Sequence, residues 1–81
     1  MKVRMKDTVE TRIVYPHGDK LPIEPLNAIA GQCVKLTEHV HTNDDGDKFS
    51  QENWRLPLGA EIDIYDKKAA ELTGLDLAEP I

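Results

Sequence analysis

Apolar and polar residues alternate with a period of two in three separate stretches of this sequence. That pattern restricts the chain to a fold built mainly from half-buried β-strands. The cleanest stretch is residues 60–65, where Ala60, Ile62 and Ile64 fall on one face and Glu61, Asp63 and Tyr65 on the other. In residues 2–9, Val3 and Met5 share a face opposite Lys2, Arg4 and Lys6; Val9 continues the apolar parity and Asp7 interrupts it. In residues 32–41, Val34, Leu36 and Val40 share one face, with Glu38 out of pattern, and Cys33, Lys35, Thr37, His39 and His41 the other. The β-branched and aromatic run at 11–15 either extends the first strand or pairs with it.

Punctuation between these stretches supports the same reading. Pro16 and Gly18 mark a turn. Pro22 and Pro25 lack amide donors and fix φ, so residues 21–26 form an extended edge or connector rather than a helix. Asn27 caps a short helical turn ending at Gly31. Asp45-Gly46 is a strong turn signal. The following residues 48–56 are less periodic, with Phe49, Trp54, Leu56 and Leu58 as anchors. Only one stretch reads as a helix: Asp66 as N-cap, KKAAEL behind it and Gly74 just past the end. A helix of about two turns is marginal alone, so it must pack, with Ala69, Ala70 and Leu72 as contacts. Residues 75–81 form a last extended piece, Leu75 and Leu77 sharing a face. The expected fold class is α+β: a small, mainly antiparallel sheet or partial barrel with one short C-terminal helix, in one domain spanning residues 1–81.

Size and charge narrow the function. A chain of 81 residues hides only roughly 60% of its unfolded surface, which leaves little volume for an enclosed substrate cavity. The balance of 15 acidic and 10 basic residues gives a net charge of −5, so the chain has no general attraction for nucleic-acid phosphates. Lys2, Arg4 and Lys6 read as a solvated strand face. No window approaches the ~20 apolar residues needed to span a bilayer, and MKVRMKDTVETR lacks the apolar core of a signal peptide. The expectation is a soluble protein kept in the cytoplasm or assembled from there.

The chemistry-bearing residues form no familiar pattern. Cys33 is the only cysteine, so no internal disulfide forms, and a packed structural thiol is the expectation. His39 and His41 share a strand face beside Asp44, Asp45 and Asp47, but the spacing fits no common zinc site. A calcium loop centred on Gly46 would need a carboxylate where His41 stands and an apolar residue at Lys48. The glycines are scattered, so no phosphate loop exists. The only serine, Ser50, lies in a polar stretch. No catalytic residue, metal or cofactor is assigned.

Residues 57–81, PLGAEIDIYDKKAAELTGLDLAEPI, together with the opening MKVRM, resemble small head-morphogenesis proteins encoded among the head and tail genes of tailed phages and prophages. Gly59, Ile62, Ile64, Ala69, Leu72, Gly74 and the run Leu77-Ala78-Glu79 carry the resemblance. In that family the first strand leads quickly into the glycine strand, whereas here residues 11–56 intervene. The resemblance implies a non-enzymatic virion structural component (minor head, decoration or connector) that docks on a repeated capsid or head subunit or on itself. Its place is the virion, or the host cytoplasm before assembly. A small phage-encoded inhibitor of a host protein complex is the alternative. Residues 38–56 are the segment expected to contact a partner, through His39, His41, Asp45, Phe49 and Trp54, because binding residues concentrate on segments held by a rigid scaffold. Trp54 is equally open to completing a thin core.

Overall fold

A computed structural model describes all of residues 1–81. In chain order the elements are β1 (Lys2–Met5), β2 (Val9–Pro16), β3 (Ile23–Pro25), a 3-10 turn (Ala30–Gln32), β4 (Val34–Thr42), β5 (Lys48–Leu56), β6 (Glu61–Ile64), α1 (Asp66–Gly74) and β7 (Ala78–Pro80). The strands form two antiparallel sheets, ordered β3-β6-β1-β7 and β2-β5-β4. With one short helix near the C-terminus, the fold is α+β.

The first sheet follows directly from alternation. Val3 pairs with Ile62 and Met5 with Ala78, and all four are buried together with Ile64 and Ala60. The opposite face carries a cross-strand charge ladder: Arg4 sits between Glu61 at 2.9 Å and Glu79 at 3.1 Å. Lys6 meets Asp76. Thus Arg4 and Lys6, on the basic face of the first strand, are held by the protein's own carboxylates. The terminal amine donates to the Asp63 carboxylate at 2.9 Å, which raises its pKa above the ordinary value. β3 forms the sheet's edge, the position that Pro25 within it favours, with Pro22 just before it.

Ile13 and Leu56 are the only residues of the second sheet in the buried apolar cluster. The core therefore lies between the first sheet, α1 and one end of the second sheet. The first strand ends at Met5, and residues 11–15 pair with β5 instead of extending or pairing with β1. Leu58, expected as an anchor, is exposed.

Asn27 ties the loop after β3 to the first sheet. Its Oδ1 accepts from the amides of Ala30 at 2.8 Å and Glu61 at 3.1 Å, and its Nδ2 donates to the Gly59 carbonyl at 3.0 Å. Gly59 has φ of +85, and a Cβ there would lie 3.2 Å from the Ile29 side chain. Glycine is required there on both counts.

The helix boundaries shift by one residue from expectation. Tyr65 is the N-cap, with extended backbone, and Asp66 begins the helix without a side-chain capping bond. There its carboxylate still faces the positive end of the helix dipole. Lys68, Ala69 and Leu72 are buried and Ala70 is exposed. Gly74 is the last helical residue, and the left-handed position falls on Asp76, with φ of 59. Asp76 N–H donates to the Thr73 carbonyl and Leu77 N–H to the Leu72 carbonyl, a Schellman ending. It turns Leu77 onto the core and leaves Leu75 in solvent, so the two do not share a face.

Candidate docking surface

β4 is the element whose surroundings depart furthest from expectation. It is a nine-residue strand, but every residue in it is exposed. Val34, Leu36 and Val40 are 46%, 38% and 47% exposed. Nothing packs over them, and a bulge between Lys35 and Thr37 breaks the parity that alternation assumed. The sheet ends at β4, so its outer backbone groups have no neighbouring strand. Such edges are templates for pairing with another chain.

The hairpin geometry shows which groups these are. Asn43 N–H donates to the Asp47 carbonyl at 2.9 Å. Hydrogen-bonded and non-bonded pairs alternate along an antiparallel ladder. With Thr42 opposite Lys48, Val40 opposite Ser50 and Glu38 opposite Glu52, the residues bonded to β5 are Thr37, His39 and His41. The N–H and C=O groups of Glu38, Val40 and Thr42 point outward.

The turn is closed by its own hydrogen bonds. Asn43 Oδ1 accepts from the amides of Asp45 at 3.0 Å and Asp47 at 2.9 Å, and Gly46 adopts φ of +86. Asp44, Asp45 and Asp47 are exposed at this tip.

The expected contact residues separate into three places. His41 lies opposite Phe49 and His39 opposite Gln51, so His39, His41 and Phe49 share the face turned away from the core. Asp45 stands at the tip. Trp54 lies on the other face, half-buried against the core, with Nε1 donating to Glu52 Oε1 at 2.9 Å. His39 and His41 have no third ligating side chain beside them within the chain.

Sequence reasoning missed the residue at the centre of the core-side face. Glu52 is only 6% exposed. Its carboxylate accepts from Trp54 at Oε1 and from the Tyr15 hydroxyl at Oε2, 2.8 Å away, with Lys35 Nζ at 3.8 Å. Lys35 bonds Glu38 at 2.8 Å and stands between the two carboxylates that register places opposite each other. Burial, and then the bond to Glu52, raise the pKa of Tyr15. The Glu38 bond raises that of Lys35, and Lys35 lowers that of Glu38. The buried carboxylate is thus fully partnered and fixes both aromatic rings.

Two arrangements bear on catalysis. Ser50 Oγ and His17 Nδ1 are 3.1 Å apart, but Ser50 is 8% exposed and neither residue lines the cleft against α1 or the one beside Pro22 and Ile23. The pair pins the end of β2 to β5. Burial pushes the Cys33 thiol up, which reduces its reactive thiolate fraction. A cleft of about 810 Å3 lies between the outer face of the second sheet and α1, with Arg12, Val14, Leu36, Asn53, Tyr65 and Lys67 among its walls. No helix is long and apolar enough to cross a membrane.

No protein-family model matches this chain, and neither a curated protein nor a solved structure matches it.

Proposed function

We propose that this domain is a non-enzymatic docking protein, a minor head, decoration or connector component of a tailed-phage particle, that engages a repeated protein subunit or a copy of itself. The observation that carries the docking reading is β4: nine exposed residues at a sheet edge, with three large aliphatic side chains in solvent. The phage assignment rests on the resemblance of MKVRM and residues 57–81. That segment supplies β6, α1 and β7, two strands of the first sheet and the helix beside it. The test is mass spectrometry of purified particles from the source phage or prophage. The protein is expected there in many copies per particle, and Val40→Lys is expected to lower that number. Absence from particles, with recovery in a host protein complex, overturns the virion reading in favour of an inhibitor.

A further inference from the structure

The outer edge of β4 has one register in which it complements itself, and we propose that two copies of the domain pair along it as a two-fold dimer centred on Val40. The inference deepens the docking reading and rests on it. A two-fold axis normal to the sheet joins two β4 strands antiparallel and keeps each face of the sheet continuous. With the axis at Val40, Val40 meets the partner's Val40 and Glu38 meets the partner's Thr42. Every outward-facing backbone group of Glu38, Val40 and Thr42 then finds a partner.

Other axis positions fail on the same geometry. At His39, Thr42 is sent onto Leu36, in the bulge. At His41, Glu38 is sent onto Asp44, in the turn. At Glu38, the two carboxylates stand directly opposite each other, a destabilising pairing. At Thr42, Val40 leaves the strand and meets Asp44.

Side chains agree with the Val40 register. Two valines, each 47% exposed in the single chain, cover each other at the axis. On the opposite face His39 lies beside the partner's His41 in the closer, non-hydrogen-bonded type of pair. Beyond the axis Lys35 approaches the partner's turn, where Asp44, Asp45 and Asp47 are exposed, so opposite charges meet at both ends of the contact. A foreign strand could satisfy the backbone, but the match of register, apolar centre and end charges is to β4 itself. The dimer carries one continuous sheet, β2-β5-β4-β4-β5-β2.

Sedimentation of the full chain tests this. The parent is expected at twice the monomer mass, and Val40→Pro and Val40→Lys at the monomer mass with melting retained. The Val40 amide makes no bond to β5, so proline removes nothing from the monomer's ladder, and lysine is a natural blunting residue for an edge. If proline prevents folding, the lysine variant decides. Register is read by cross-linking in a Cys33→Ser background. Hydrogen-bonded antiparallel pairs hold Cα atoms about 5.5 Å apart, within disulfide reach. Val40→Cys is therefore expected to form a covalent dimer on mild oxidation and Thr37→Cys is not. A parent that stays monomeric to about 1 mM, a Val40→Lys variant that remains dimeric, or equal cross-linking at both positions overturns the proposal. A monomeric parent whose Val40→Lys variant is lost from particles sinks the dimer and leaves the docking reading standing. A dimeric parent whose Val40→Lys variant is monomeric yet still enters particles keeps the dimer and shows that entry into particles does not run through the β4 edge.

Discussion

Replacing Glu52 by alanine removes the group on which the second sheet's core-side face is organised. Two side-chain donors lose their acceptor: the Tyr15 hydroxyl at 2.8 Å and the Trp54 indole at 2.9 Å. Hydrogen bonds to a charged group contribute about 1.5–3 kcal/mol each, so the gross loss is about 3–6 kcal/mol. Two effects reduce it. The parent no longer bears the cost of holding a carboxylate away from water, and both rings are half-buried, so water recovers part of each bond. Lys35 keeps Glu38. A net loss of about 3 kcal/mol remains, which for a domain of this size lowers the melting temperature by roughly 12–24 °C. Glu52→Gln keeps an acceptor for the indole but sets an NH2 donor against the Tyr15 hydroxyl, which must turn to accept, so it costs about 1 kcal/mol. Thermal melts followed by circular dichroism give the magnitude. Trp54 fluorescence in the folded state reports whether the indole has moved toward water. A Glu52→Ala protein melting within about 2 °C of the parent, with unchanged emission, would refute the network's role.

Ile62 and Ile64 are 0% and 2% exposed, so Ile62→Ala or Ile64→Ala is expected to cost about 2–5 kcal/mol; parent-like denaturant curves for both would contradict that. The Tyr15 pKa is raised in the folded protein by burial and by Glu52. Its contribution is complete below the unfolded tyrosine value of about 10 and is lost as pH rises through the folded value. Stability is therefore expected to fall in that alkaline window, and Tyr15→Phe to fall less; identical alkaline limbs would count against it. Asn27→Ala leaves the amides of Ala30 and Glu61 without their acceptor and is expected to cost about 1–3 kcal/mol, read by urea titration. A chelator is expected to leave the melting temperature unchanged, because His39 and His41 have no third ligand within the chain; a shift of several degrees would show a metal at work.

Local pattern determined which segments are extended and where they turn. The alternation of residues 60–65 placed Ala60, Ile62 and Ile64 in the core, Pro22 and Pro25 put β3 at an edge, and Asp45-Gly46 marked the hairpin tip. These are properties of the chain within a few residues of itself. Tertiary structure decided which faces found a cover. Val34, Leu36 and Val40 read as a buried face, yet no element packs on β4, and its bulge breaks the period. The reverse holds in β5, where the inward positions carry Ser50 and Glu52. Polar residues there hid the alternation, and Tyr15 and Lys35, brought across from the neighbouring strands, together with Trp54 two residues along β5, make burial of Glu52 tolerable. The expected contact set was divided for the same reason. Sequence spacing put His39, His41, Phe49 and Trp54 in one segment. Side chains of a strand alternate between faces, so pairing in the sheet sent Trp54 to the core side and left the histidines with Phe49 on the other.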